Sequence, residues 1–283
     1  MTYIVFTLVL LGALFHACWN TLIKLSPDKA LETAFMNLVG SFLVLPALIY
    51  FGLPDQVAWP YLFATLLLHI IYYYSLAGAY QWGDMSLTYP IMRGVAPLIL
   101  VLLSIFTQAD HLMPYVILGI VLVSLGVIFL GITPNYHGNL FKAISFALLN
   151  AFVIAAYTLV DGLGVRGTVE PFSYIATFMF IDGFIYSGLL FHRRSWPIVE
   201  LRNYCQKRWR YFSVGAIGTI SSYGIALWAM TVAPIGMVSA LREVSVLFAL
   251  IIACLFLKEK INRYRWLGVL LVGFGAILIK VNY

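Results

Sequence analysis

Ten apolar runs, each about 20 residues long and separated by short polar connections, follow one another along almost the whole chain. A helix needs about 20 mostly apolar residues to cross a hydrocarbon core of roughly 30 Å, and in lipid every backbone polar group must be satisfied internally. The runs lie near 3–25, 31–52, 58–80, 85–107, 112–132, 138–161, 171–191, 209–231, 236–257 and 262–281, and the longest connection is 192–208. Composition points the same way: 63% of the residues are hydrophobic and 10% charged, against roughly 45–50% and 25% in soluble domains. The expected fold is an all-α membrane protein of ten transmembrane helices. It has no soluble domain of useful size, so function must sit inside the bundle.

Residues 1–25 lack the basic start of a signal peptide and continue through Asn20 and Lys24, so they read as the first spanning helix. Cys18, Cys205 and Cys254 are scattered and odd in number, with neither a disulfide framework nor metal-ligand spacing. No metal and no cofactor is expected. The net charge of +6 reflects loop charges rather than nucleic-acid binding. Thirteen of these basic residues, from Lys24 and Lys29 through Lys142 and the 193–210 stretch to Arg265, fall in alternate loops, while Arg166 and Lys280 face the other side. The positive-inside rule makes the basic loops cytoplasmic and puts both termini outside. The stretch 193–210, with Trp196, Tyr204, Trp209 and Tyr211 at the interface, reads first as topogenic charge and second as a patch for anionic lipid or a partner.

The chain also repeats. A shift of 149 positions pairs Tyr74 with Tyr223, Arg93 with Arg242, Asp110 with Glu259, Gly119 with Gly268 and Gly126 with Gly275. Smaller offsets pair Thr21 with Thr158, Phe35 and Met36 with Phe178 and Met179, and Gly40 with Gly183. Five helices repeat as five, over residues 1–135 and 136–283, together one transport unit. An odd number of crossings per repeat inverts the second relative to the first, the arrangement of secondary transporters with a midplane site between the halves. The segment Phe256-Leu257-Lys258-Glu259-Lys260, followed by Trp266-Leu267-Gly268 and the glycines at 273 and 275, resembles the end of each repeat in the drug/metabolite transporter superfamily, EamA branch. Pro97 resembles the proline that family often carries in its fourth helix, whereas Lys258, Ala109 and Val246 depart from its pattern. The resemblance implies a ten-helix transporter of metabolites, often an exporter.

Ionisable residues inside membrane helices cost roughly 2.5–3.5 kcal/mol each on insertion scales, so they face a cavity or a partner. Arg93 and Arg242 lie well inside two repeat-related helices and are expected to bracket one anionic group; the bland reading is snorkelling, or pairing with Glu243. Gly12, His16, Asn20 and Lys24 recur every four residues and share one helix face, with Trp19 beside it. Helix 6 carries Asn150, Ile154, Tyr157 and Asp161 at similar spacing, and helix 7 carries Tyr174, Phe178, Asp182 and Tyr186. The expected substrate-binding set is Arg93, Arg242, His16, Asn20, Trp19, Tyr89, Tyr73, Tyr157, Tyr223 and Trp228. Asp182, Glu243 and His69 are the candidates for proton coupling.

The reading these residues favour is a secondary transporter, an exporter of a small anionic or zwitterionic metabolite such as an amino acid, organic acid or phosphonate, working by alternating access. Its partners would be that substrate, the bilayer and protons, with no nucleic acid, in a monomer or homodimer of a bacterial plasma (inner) membrane. No P-loop is present to suggest nucleotide-driven transport. Efflux of organic cations by Asp182, Glu243 and the aromatics is the alternative. An intramembrane lipid-modifying enzyme using His16, His69 and Asp182 is the remote one, since no HExxH or GxSxG constellation supports it.

Overall fold

The computed structural model describes residues 2–131, 139–194, 196–257 and 263–281. They form α1 (Tyr3–Lys24), α2 (Lys29–Phe51), α3 (Trp59–Trp82, after a short 3-10 turn Gln56–Ala58), α4 (Met85–Phe106), α5 (Pro114–Leu130), α6 (Leu140–Arg166), α7 (Pro171–Arg193), α8 (Ile198–Val232), α9 (Ile235–Arg242), α10 (Ser245–Leu257) and α11 (Arg263–Val281). Lys258, Glu259 and Lys260, which carry part of the family resemblance, lie outside the described residues. The fold is all-helical, and eight stretches among the described residues, including α9 and α10 taken together, are long and apolar enough to cross a bilayer. Helix α5 is a shorter apolar helix.

Local chemistry sets the helix ends. The side chains of Thr2, Asp28 and Asn139 accept hydrogen bonds from backbone N–H groups in the first turns of α1, α2 and α6, satisfying donors the helix cannot. Pro114 and Pro171 open α5 and α7, where a missing N–H costs nothing.

The structure departs from the sequence expectation at two helices. Helix α8 has 35 residues, roughly 52 Å at 1.5 Å per residue, because 198–208 is helical rather than loop. That segment is too charged to read as a span, yet it holds no glycine, and its proline, Pro197, is the N-cap. The ninth apolar run is broken: α9 ends at Arg242, and Glu243, Val244, Val246 and Leu247 donate to carbonyls three residues back, a local tightening to 3-10 turns. No glycine or proline marks the step, but Glu243 there is ion-paired across to α4.

The helix contacts are reciprocal. Helix α3 packs on α6 as α1 packs on α8; α4 packs on α6 as α9 and α10 pack on α1; α2 pairs with α7 and α5 with α11. The α5–α11 crossing is glycine against backbone. A Cβ on Gly119 would lie 2.9 Å from the Gly275 carbonyl oxygen, and one on Gly126 would lie 2.8 Å from that of Gly268. As numbers rise along one helix they fall along the other, so the pair is antiparallel.

One end of the bundle is tied shut. From the end of α6, Arg166 donates through Nε to the Met230 carbonyl (2.6 Å) and through Nη2 to that of Ala233 (2.8 Å). Its Nη1 lies 3.0 Å from Asp110 Oδ1. The other Asp110 oxygen accepts from the Ile235 N–H at 2.6 Å and so caps α9, whose eight residues are all buried. Asp55 accepts from the Val169 N–H. The four connections at this end are thereby knitted together around a dry core. At the opposite end, buried Glu32 of α2 is held by Arg208 of α8 (2.6 and 3.1 Å) and by the Tyr204 hydroxyl, and Arg194 meets Asp28.

Candidate functional site

A cavity of about 750 Å³ lies between α1, α2, α3, α4, α6, α7, α8 and α9. It reaches Lys29, Ala30, Gly83, Asp84 and Tyr186, at the end of the bundle where Glu32 and Arg208 pair, and no residue of the tied end lines it. The site is therefore accessible from one end only.

Its positive pole is built by α4 and α9. Arg93 and Arg242, both buried, line the cavity together with His16 and Tyr89. Arg93 Nε lies 2.9 Å from Glu243 Oε2, and the Arg242 guanidinium sits over the Tyr223 ring, 5.0 Å from its centre. Arg93 Nη2 and Arg242 Nε have no hydrogen-bond partner. Of the two guanidinium groups only Arg93 is ion-paired, so positive charge and unspent N–H donors remain at the cavity wall. A planar fork of donors suits a carboxylate, phosphate or phosphonate.

Helix α1 adds His16, Trp19 and Asn20 to the wall. His16 meets Trp19 edge to face at 4.8 Å. Asn20 spends its amide on the His16 carbonyl (2.8 Å), which leaves its oxygen as an acceptor. Gly12, on the same stripe, instead faces α8, where a Cβ would meet the Ser222 carbonyl at 3.4 Å. The stripe thus divides between packing and cavity.

The other wall is aromatic and acidic. Tyr73 donates to Asp182 Oδ2 at 3.0 Å, while Asp182 Oδ1 is buried without a partner. His69 places Nδ1 2.9 Å from the Thr65 carbonyl. Since a carbonyl only accepts, Nδ1 carries a proton and donates it there. The ring lies 4.4 Å from Tyr157 and 5.0 Å from Phe178. Behind this wall, fully buried Asp161 accepts from Tyr174 (2.9 Å) and from Tyr223. Tyr223 therefore touches Asp161 with its hydroxyl and Arg242 with its ring.

Of the ten residues expected to bind substrate, all but Trp228 line this cavity, as do Asp182 and His69. Trp228 packs against the apolar core instead. Glu243 is spent on Arg93 and does not line the cavity. Of the two arginines expected to bracket an anion, Arg93 takes the alternative of pairing with Glu243, and Arg242 lies over the Tyr223 ring. Tyr72, Tyr186 and Asn37 also line the wall. The depth of Asp161 was hidden because helix 6 was expected to end there, whereas α6 runs on to Arg166.

Fold and cavity together define a helical integral membrane protein with an interior chamber whose largely apolar wall carries a few polar and charged groups. Residues 141–281 match the EamA-like transporter family. One curated relative, an uncharacterized transporter in the cobO 3'region of Sinorhizobium sp, is 29% identical over 75 residues. That stretch is 26% of this chain and 53% of the relative, so the likeness spans about half of that protein's length. A solved crystal structure superposes with a TM-score of 0.71 over 99% of this chain and 96% of its own, at 16% identity, a likeness of fold alone. The match over residues 141–281 and the transporter relative support the resemblance of this chain to the drug/metabolite transporter superfamily.

Proposed function

We propose that the protein is a secondary transporter that moves a small anionic or zwitterionic metabolite by alternating access, as an exporter in a bacterial plasma membrane. The observation that carries this reading is the pair Arg93 and Arg242, related by the 149-residue shift: both line one cavity, only Arg93 is ion-paired, to Glu243 behind the wall, and Arg93 Nη2 and Arg242 Nε have no hydrogen-bond partner. The reciprocal helix contacts support two inverted five-helix repeats, with α5 and α11 at their junction and α9 and α10 as one interrupted span. The tied end and the reachable end support one state of an alternating cycle. The cavity mouth lies on the side that the basic loops assign to the cytoplasm. Export is the direction the family resemblance suggests.

Asp182, with one oxygen unspent in an aromatic wall, favours a second reading in which an organic cation is the cargo. Thermal unfolding of the purified protein against metabolites sorted by charge separates the two, because a ligand of the native state raises apparent stability. Stabilisation by anions or zwitterions that is lost in Arg93→Gln and in Arg242→Gln supports the first reading. Stabilisation by cations alone, lost in Asp182→Asn, overturns it in favour of the second.

A further inference from the structure

Outside the central chamber, one groove combines charge, aromatic rings and depth. It has a volume of about 620 Å³ and runs between the last turn of α1 and the middle of α8. Leu22 forms one side; Lys207, Trp209, Arg210, Tyr211 and Val214 form the other, with Gln206, and no carboxylate lines it.

The length of α8 fixes the level of this groove relative to a bilayer. Val232 lies at the tied end, beside the Arg166 network. Counting back about 20 residues, the length that crosses roughly 30 Å of hydrocarbon, brings the boundary close to Phe212. Lys207, Trp209, Arg210 and Tyr211 then stand at headgroup level, and the segment from Ile198 to Gln206 projects beyond it. Below the boundary, Val214 (61%) and Ile217 (56%) are exposed on α8, and Cys18 is exposed one turn below Leu22 on α1. A basic mouth therefore sits over an open apolar stripe.

The cations here are not equivalent. Arg208 is occupied by Glu32, and Arg194 by Asp28. Arg210 lies over the Trp209 ring at 5.3 Å, a cation–π contact that uses the ring face and none of its N–H donors. Lys207 is exposed one turn earlier, on the same face.

We propose that this groove is a binding site for an anionic phospholipid, with the headgroup phosphate on Lys207 and Arg210, Trp209 and Tyr211 at the glycerol level, and an acyl chain along Leu22, Val214 and Ile217. The site follows from the placement of α8 in the bilayer and is independent of what the central cavity carries. Anionic lipid is concentrated in the cytoplasmic leaflet, the side to which the basic loops assign this end.

The test uses the full chain in a neutral detergent. Lipid binding is read by native mass spectrometry and by the shift in thermal unfolding, with phosphatidylglycerol, phosphatidylcholine and inorganic phosphate as probes. Phosphatidylglycerol is retained and stabilises; phosphatidylcholine does neither. The Lys207→Gln/Arg210→Gln pair loses about thirtyfold in apparent affinity, at roughly fivefold per basic residue near an anionic surface. The Arg193→Gln/Arg202→Gln pair, which removes the same charge outside the groove, keeps the binding. Equal loss in both pairs reduces the effect to net charge and overturns the site. Equal retention of phosphatidylcholine, or equal stabilisation by inorganic phosphate alone, overturns it as a site for an anionic lipid.

Discussion

Replacing Asp110 with Asn should unlock the tied end. The amide keeps an oxygen for the Ile235 N–H but removes the charge that Arg166 meets at 3.0 Å. The Asp110 side chain is 5% exposed and that of Arg166 26%, so the pair stands between surface bridges, worth about 0–1 kcal/mol, and buried ones, whose breaking costs about 3–5. About 2 kcal/mol is the expected loss. On the proposed alternating cycle it falls on the closed arrangement alone, and a loss of that size shifts the balance between arrangements roughly thirtyfold. The assay places a single cysteine at Ser239, a 6% exposed position on α9, in a chain whose own three cysteines are serine. In Asp110→Asn, labelling by an impermeant maleimide from the tied end should rise by about one to one and a half orders of magnitude. Labelling of a cysteine at Thr33, in the cavity mouth, should fall. A drop in melting temperature with both labelling rates unchanged would refute the reasoning, for the ion pair would then be glue common to all states.

Further expectations concern the packing and the buried acids. Gly126→Ala sets a methyl group 2.8 Å from the Gly268 carbonyl oxygen and from the Val272 nitrogen, and should cost about 1–3 kcal/mol in thermal unfolding. Arg208→Leu leaves Glu32, whose side chain is fully buried, with only the Tyr204 hydroxyl. The cost should be about 3–5 kcal/mol, with part of it recovered when Glu32→Gln is added. Tyr223→Phe removes one donor from Asp161 but keeps the ring beneath Arg242. Stability should fall by about 1–2 kcal/mol while the stabilisation by anions persists; its disappearance would show that the hydroxyl, and not the ring, positions Arg242.

Most of the architecture was legible because lipid imposes so strict a length on a helix. The helices from α1 to α7 and α11 begin and end within a few residues of the apolar runs, apart from the far end of α6. Hydropathy failed where helix and membrane part company: the first third of α8 is helical but not apolar. It failed again at Glu243, where a change of backbone bonding inside an apolar run leaves no mark on hydropathy. In the site, polar residues within spans were a good guide, since few places other than a cavity or an ion pair tolerate them. Aromatic residues were a less certain one, although Trp19, Tyr73, Tyr89, Tyr157 and Tyr223 line the cavity. Trp228 packs in the core and Tyr74 is exposed, although Tyr223, its counterpart in the shift, lines the cavity. A ring is at home in lipid, in a core or beside a ligand, so its presence says little about which.

The glycine crossing of α5 and α11 carries a consequence for how such a chain can vary. Two helices that pack through side chains can usually trade bulk for bulk. Here the surface that each helix must fit is the main chain of the other, which no substitution can trim back to make room. A methyl group gained at Gly119 or Gly126 has to be absorbed by the neighbour's path through the membrane, and the same holds at Gly268 and Gly275. Along this seam each helix is the mould of the other.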